Sequence, residues 1–515
     1  MRVVAVRAAP CWAGTEADEE QMKNIGHWIE GRSVDGSSGR TAPVYDPARG
    51  RQTGEVALAS AAEVGDVVKV ALVASSEWGA SPLSRRATMF FRLRELLDAH
   101  RGDLAALVTS EHGKVLSDAE GEVSRGLECV EFACGIPHLL KGSHSSEVST
   151  GVDVHTALAP VGVVAGITPF NFPVMVPLWM LANALACGNA FVLKPSEKDP
   201  SPSLLLAELV QRAGFPDGVF NVVQGDAEAV DALLDHPEVD AVSFVGSTPV
   251  ARHIYETGTR NGKRVQALGG AKNHMVVLPD ADVDAAADAA INAGYGSAGE
   301  RCMAISIIVA VGAIADPLVE AISARIPEVV IGPGDDATSM MGPLITREHR
   351  DRVRSYVEGA AAEGARVVQD GSTTASSDGF FFGCALLDGV APGMRVYDDE
   401  IFGPVLGVVR VDSYDQAVAL INANPYGNGV ALFTRDGGAA RRFEREIEVG
   451  MIGINVPIPV PVAWQSFGGW KASLFGDAPI YGPEGIRFYT RPKVITSRWP
   501  DPASSMIDLG FPTTD

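Results

Sequence analysis

Apolar residues recur at helical spacing over residues 61–80 and again over 85–112, so the N-terminal part is predicted to consist of helices after an irregular lead-in. Arg125 falls on a third helical stretch. From Val163 the pattern changes: short apolar runs at 190–193, 219–223 and 241–245 read as strands, while residues 203–213, 227–234 and a stretch starting at Ser247 read as helices. That alternation predicts a parallel sheet covered by crossover helices. A second α/β unit starts near Met275, where VVL precedes PDADVDAAADAAINAGY and either Asp280 or Asp282 can cap the helix. Residues 150–160 and 486–496 have strand character outside both units. Paired, they would form a protruding sheet and an edge for oligomerisation.

The length of 515 residues exceeds what one hydrophobic core usually serves and implies two or three domains. With 46% hydrophobic and 21% charged residues the chain can bury a large core and keep a soluble surface. A formal charge of -22 repels phosphates and anionic lipids, which argues against nucleic-acid and membrane partners. The cysteines at 11, 129, 134, 187, 302 and 384 include no CxxC pair, which suits reduced thiols in a cytoplasmic protein, and no Cys/His spacing suggests zinc. Residues 154–193 contain no Asp, Glu, Lys or Arg, but Pro160, Pro169, Pro173, Pro177 and three asparagines would be costly in lipid, so the segment reads as buried strand, loop and helix. The first 24 residues read as an extension, with Met22 as an alternative start.

Cys302 sits in GSAGERCM, a glycine-bearing loop between the helix at 282–295 and the apolar run at 305–311. A catalytic thiol needs an accessible loop held by rigid elements, and the adjacent Arg301 is expected to favour the thiolate. Asn171 lies in TPFNFP, where flanking prolines fix the backbone and leave a side-chain amide as a positioned donor for an oxyanion. FVLKPSEKDPSPS ends a strand and opens a helix, placing Lys194, Ser196 and Glu197 at the carboxyl edge where open α/β sheets bind ligands. Lys194 and Glu197 suit ribose hydroxyls, and a carboxylate there would repel a 2'-phosphate. In AVSFVGSTPVAR, Gly246 and Ser247 stand at a helix N-terminus whose amides can cradle a pyrophosphate. No GxGxxG follows a strand, so the spacing alone does not specify a dinucleotide. Taken singly, each of these strings also fits a packing cysteine, a turn, a solvated loop or an ordinary helix cap.

Together, TPFNFP, VLKPSE, FVGST, LGGAKN, GERCM and EIFGPV, in this order, resemble the aldehyde dehydrogenase superfamily over residues 25–499. The resemblance implies an α/β fold with a Rossmann-type cofactor domain (25–149 and 161–274), a catalytic domain (275–475) and a small β oligomerisation element (150–160 and 485–499), preceded by the extension 1–24. It implies NAD as cofactor, Cys302 as nucleophile and Asn171 as oxyanion donor. Thr168, Phe170, Lys194, Ser196, Glu197, Gly246 and Ser247 become cofactor contacts, and Glu400, with Phe402 nearby, would hold the nicotinamide ribose.

One departure is informative. Hydrolytic members carry a glutamate before LGG that activates water, whereas VQALGGAKN has Ala267 there. Water should then deacylate the enzyme slowly, while a thiol such as CoA does not need the same base. IGHWIEGR, GRTAPVYDPA, GEVSRGLECVEFACG, NVPIPVP and FYTRPKVITSRW further resemble the CoA-acylating semialdehyde branch, in which the positions of Arg125 and Arg301 serve the substrate carboxylate. The expected reaction is oxidation of methylmalonate or malonate semialdehyde with decarboxylation and acyl transfer to CoA, in a homotetramer. SFGGWK resembles the general superfamily more than this branch and leaves the acyl group open. A hydrolytic semialdehyde dehydrogenase and a catalytically silent paralogue are the rival readings.

Overall fold

The computed structural model describes residues 22–373 and 378–499. The suggested alternative start concerns residues 1–21, and Cys11 with them, which lie outside the described residues.

Two large sheets organise the chain. The first has eight strands in the order Leu474–Phe475, Arg264–Leu268, Ala241–Val245, Val163–Ile167, Ala190–Lys194, Phe220–Val222, His27–Ile29, Arg32–Val34. Its five central strands are parallel, and the pairings at both edges are antiparallel. Continuous apolar runs such as AFVLK and AVSFV are buried on both faces, as strands covered by helices on both sides must be. The strand Val163–Ile167 leads outward through Ala190–Lys194 to Phe220–Val222, and the chain then returns to place Ala241–Val245 on its other side. The order therefore reverses between Val163–Ile167 and Ala241–Val245, which opens a crevice at their carboxyl ends.

The second sheet has seven strands in the order Arg366–Gln369, Ala385–Asp388, Val405–Val411, Ile305–Val311, Asn273–Val277, Gly429–Phe433, Met451–Ile454. All pairings but the first are parallel. The helix Val283–Tyr295 covers it, and Asp282 caps that helix by accepting the Ala285 N–H. The crossing from one sheet to the other occupies only residues 269–272, because Asn273 already pairs with Ile305. The chain returns late to the first sheet, where Leu474–Phe475 pairs with Arg264–Leu268.

Three expectations change. The lead-in is not irregular: Lys23–Ile25, His27–Ile29, Arg32–Val34, Thr41–Asp46 and Arg51–Ala57 are strands. The first three are three residues long, too short to show alternation, and they are extended because distant partners pair with them, Lys23 with Gly54 and Trp28 with Val222. The helical stretch 85–112 is two helices, Leu83–Ala99 and Arg101–His112, joined at His100 (φ -106°, ψ 18°). Residues Gly482–Phe488 form a helix, with proline in its first turn, so the terminal strand starts later, at Thr490–Arg498. That strand pairs antiparallel with Val152–Pro160 along its whole length, and His144–Ser149 pairs on the other side.

The uncharged segment 154–193 contributes to three strands, Val152–Pro160, Val163–Ile167 and Ala190–Lys194, and forms the helix Met175–Ala186, which is buried at every position. No helix among the described residues is long and apolar enough to cross a membrane.

Candidate active site

The sequence-predicted residues converge on the seam between the sheets, and they arrive there from opposite polarities. Thr168, Asn171, Lys194, Gly246 and Ser247 follow strands of the first sheet at its carboxyl edge. Cys302, Glu400 and Phe402 precede strands of the second, Ile305–Val311 and Val405–Val411, at its amino edge.

Cys302 is half-buried, one of five free cysteines among the described residues. Its loop leaves the helix Val283–Tyr295 through Ser297 and Ala298, both at positive φ (54° and 51°). The following Gly299 must be glycine, because a Cβ there would overlap the Gly403 carbonyl oxygen. The Cys302 loop and the Glu400–Phe402 loop thus touch backbone to backbone. Two buried asparagines fasten the Cys302 carbonyl: Asn273 Nδ2 donates to it at 2.9 Å and Asn428 Nδ2 at 3.1 Å. Asn273 also accepts from Gly429 N at 3.0 Å, so one side chain ties the nucleophile to the neighbouring strand.

Asn171 donates from Nδ2 to the Glu300 carbonyl at 2.9 Å, two residues before Cys302. That bond uses one of the two amide hydrogens and leaves the other for a ligand. The Asn171 backbone is held from behind: Lys114 Nζ donates to its carbonyl at 2.6 Å and to Glu122 Oε2 at 2.8 Å. Glu122 Oε1 in turn accepts from Val174 N and Met175 N at 2.8 and 3.1 Å. Both charges have fully buried side chains, so each is affordable only because the other and the backbone partners are present.

Arg301 favours the Cys302 thiolate, but only weakly. Its Nη2 is bound to Asp118 Oδ1 at 2.6 Å, and its pull on the sulfur is the weakest of the influences there. Burial, then the negative charge of Glu400, push the Cys302 thiol up to about 12 against the opposing pull of the Cys302 and Met303 N–H groups. The resting group is a thiol. Arg125 is also engaged: Nη1 bonds Glu128 Oε1 at 2.8 Å, and Nη2 donates to the Pro461 carbonyl at 2.9 Å.

Glu400 is half-buried, with Oε1 accepting from Ala271 N at 2.9 Å, and desolvation raises its carboxyl above the usual range. Gly270 makes room for it, since a Cβ would overlap Glu400 Oε2. Cys302 and Glu400 line a space of only about 10 Å³, room for about one water. Phe402 takes a left-handed φ of 59° and meets Phe170 edge to face at 5.9 Å.

The crevice of the first sheet suits a dinucleotide. Thr168 Oγ1 is buried with no partner, and the helix Thr248–Arg260 begins at Ser247 without a side-chain cap, leaving its first amides for a ligand. Lys194 Nζ pairs with Glu197 Oε2 at 3.2 Å at the neighbouring strand end, and Ser196 Oγ accepts from Lys198 N at 3.1 Å.

The sequence profile of the aldehyde dehydrogenase family matches residues 33–495. The chain belongs to this family. A malonate-semialdehyde dehydrogenase of Pseudomonas aeruginosa is 52% identical to this aldehyde dehydrogenase over 487 residues, 94% of this chain and 98% of that one. One of Halalkalibacterium halodurans is 47% identical over 484 residues, 94% of this chain and 99% of that one. Among solved structures, a methylmalonate-semialdehyde dehydrogenase of Oceanimonas doudoroffii is 52% identical with a TM-score of 0.92, covering 94% of this chain and 99% of that one. A Sinorhizobium meliloti protein proposed to have the same activity, solved in complex with NAD, is 50% identical with a TM-score of 0.93, covering 94% of this chain and all of that one.

Four side chains of this aldehyde dehydrogenase that shape the site escaped the motif reading: Asn273, Asn428, Lys114 and Glu122. Asn273 lay inside LGGAKN without being singled out. Glu122 likewise lay inside GEVSRGLECVEFACG, while Asn428 and Lys114 carry no local signal, because a buried polar side chain is recognised by partners far away in sequence. Ala267 is fully buried in an apolar cluster with Phe244 and Val265, so no carboxylate occupies that position.

Proposed function

We propose that this aldehyde dehydrogenase oxidises a short carboxylated semialdehyde, methylmalonate or malonate semialdehyde, with NAD, and transfers the resulting acyl group to CoA. The observation that carries this reading is a nucleophile held beside an amide donor with alanine in place of the water-activating glutamate. The names of the relatives at about half identity support the substrate class.

Cys302 attacks the aldehyde carbon as its thiolate, having lost its proton, and a carbon–sulfur bond forms. The developing oxyanion rests on the free N–H of Asn171 Nδ2 and on the Cys302 backbone N–H, donors worth about 2.7–4 kcal/mol each in such sites. NAD, when bound, accepts the hydride that leaves this carbon. Thr168, Phe170, Lys194, Ser196, Glu197, Gly246 and Ser247 would hold it, with Glu400 and Phe402 on the second-sheet side. Glu400, on engaging the ribose of the bound cofactor, would turn its charge away from the sulfur. Arg125 and Arg301 receive the substrate carboxylate on guanidinium edges not taken by Glu128 and Asp118. Oxidation leaves an acyl thioester on Cys302; its carbonyl accepts the electron pair released when the β-carboxylate departs as CO2, and a proton from solvent at the α-carbon of the resulting enolate restores the thioester carbonyl. The CoA thiolate then attacks that carbonyl and expels the Cys302 thiolate.

We assign the three-stranded sheet of His144–Ser149, Val152–Pro160 and Thr490–Arg498 to subunit contact in a homotetramer of a cytoplasmic enzyme. Its strand Thr490–Arg498 has eight exposed or half-exposed positions in succession after the buried Thr490, with Val494 at 67% exposure, a surface suited to cover by another copy.

The test is NADH formation with methylmalonate, malonate and succinate semialdehydes, with and without CoA. A single-turnover burst without CoA and sustained turnover with it is expected for the first two. Sustained release of free acid without CoA would place the enzyme among the hydrolytic members instead.

A further inference from the structure

Glu300 has no part in the steps above, yet it is completely buried two residues before the nucleophile. Its carbonyl is the acceptor for Asn171 Nδ2. Its carboxyl reaches the other way. Oε1 accepts from Ile345 N at 3.2 Å and lies 3.5 Å from His349 Nε2. Oε2 is buried without a hydrogen-bond partner, 3.8 Å from His112 Nε2, and neither ring nitrogen of His112 has a partner. His349 Nε2 donates to the Phe402 carbonyl at 2.7 Å, so the ring beside Glu300 also holds the loop beside the cofactor crevice.

We propose that Glu300 is a positioning residue that clamps the nucleophile loop against Ile345 and His349, and through that clamp sets the aim of the Asn171 amide and the seat of Phe402. The inference rests on the reading of Asn171 as the oxyanion donor.

The clamp requires a neutral carboxyl. The groups that face it are His112 at the end of Arg101–His112, Lys114 just beyond, His349 from Arg347–Glu363, and Lys198 after the strand Ala190–Lys194. Neither lysine bonds it: Lys114 is held by Glu122 and the Asn171 carbonyl, and Lys198 lies over the Phe170 ring at 4.9 Å. Burial holds both histidines below their usual value and therefore uncharged. With no cation in contact, burial pushes the Glu300 carboxyl up to about 8. Loss of its proton to solvent leaves an anion in a closed interior, and the loop shifts to hydrate it.

The experiment is the rate of the first-turnover NADH burst with malonate semialdehyde from pH 6 to 10, for wild type, Glu300→Gln, Glu300→Ala and Asn171→Ala. Divided by the thiolate population of Cys302, which rises with pH up to about 12, the wild-type rate should fall above about pH 8, approaching tenfold per pH unit. Glu300→Gln keeps an acceptor for Ile345 N and cannot ionise, so it should stay within about threefold of wild type at pH 7 and lack the alkaline fall. Glu300→Ala should be slower by about tenfold or more at every pH. An alkaline fall that persists in Glu300→Gln, or a wild-type rate in Glu300→Ala, overturns the inference. If Asn171→Ala bursts normally, the oxyanion reading fails. If Asn171→Ala is slow while both Glu300 variants behave as wild type, only the clamp fails. Should Glu300→Gln not fold, the infrared band of a protonated carboxyl in the wild type must disappear over the same pH range as the burst, and a band already absent at pH 7 refutes the proposal.

Discussion

The resting state of Cys302 gives the most direct check on the site. Its thiol is pushed up to about 12 from an ordinary value of 9.0, a difference of three units. At pH 8 the thiolate population is therefore lower than that of an ordinary cysteine by a factor on the order of 10³, since each unit is tenfold. Alkylation proceeds through the thiolate, so iodoacetamide should modify Cys302 in the free enzyme about a thousandfold more slowly than an unperturbed thiol. Glu400 is the second cause of the upward shift, after burial. Glu400→Gln removes the negative charge and keeps an oxygen for Ala271 N, so it should lower the thiol and speed alkylation by about tenfold, one unit being 1.36 kcal/mol. NAD should produce the same acceleration in wild type by drawing Glu400 away, and little in the variant. Site-resolved mass spectrometry of the alkylated peptide gives the rates, with Cys302→Ser as the blank. A wild-type rate equal to that of a free thiol, or an unchanged or slower rate in Glu400→Gln, would refute the electrostatic account.

Lys114→Met strands the buried Glu122 carboxylate and should cost about 3–5 kcal/mol, read as a lowered thermal inactivation temperature, while Lys114→Met with Glu122→Gln should recover part of it. Gly270→Ala forces Glu400 off Ala271, and NADH formation should fall at least about tenfold with the circular dichroism spectrum unchanged. The Glu300 carboxyl has a folded value of about 8 against an ordinary 4.5, so the stability it contributes as a neutral group is present below about pH 4.5 and is lost as pH rises through about 8. Glu300→Gln should consequently gain thermal stability relative to wild type across that window. The upper bound is on the order of 5 kcal/mol.

The residues proposed to react were nameable from the sequence because each sits in a short string whose local backbone does the positioning. Proline-flanked Asn171 and the glycine-rich approach to Cys302 are of this kind. The partners of those residues were not legible. Asn428 meets the Cys302 carbonyl across 126 positions, and Lys114 meets the Asn171 carbonyl across 57. Asp118, which holds Arg301, is 183 positions from it, and the local reading of Arg301 as a support for the thiolate therefore missed how little of that support is left against burial and Glu400. In the fold, the alternating sheet-and-helix rhythm from Val163 onward was readable because buried parallel strands are long apolar runs. The first three strands, before residue 35, were not, since three residues cannot display a period. The residues IRFY at 486–489 alternate like a strand, but they lie within or just after a proline-started helix that buries Ile486 and Phe488.

The span from Gly269 to Lys272 carries the chain from the last central strand of one sheet to the first strand of the other, and Ala271 within it holds Glu400 while Asn273 at its end holds Cys302. Its length is thus the ruler that sets the gap between cofactor cleft and nucleophile. One inserted residue would add up to about 3.3–3.6 Å, more than the whole tolerance of a hydrogen bond. Surface loops of this enzyme can be lengthened at little cost, but a four-residue piece of backbone is its least extensible part.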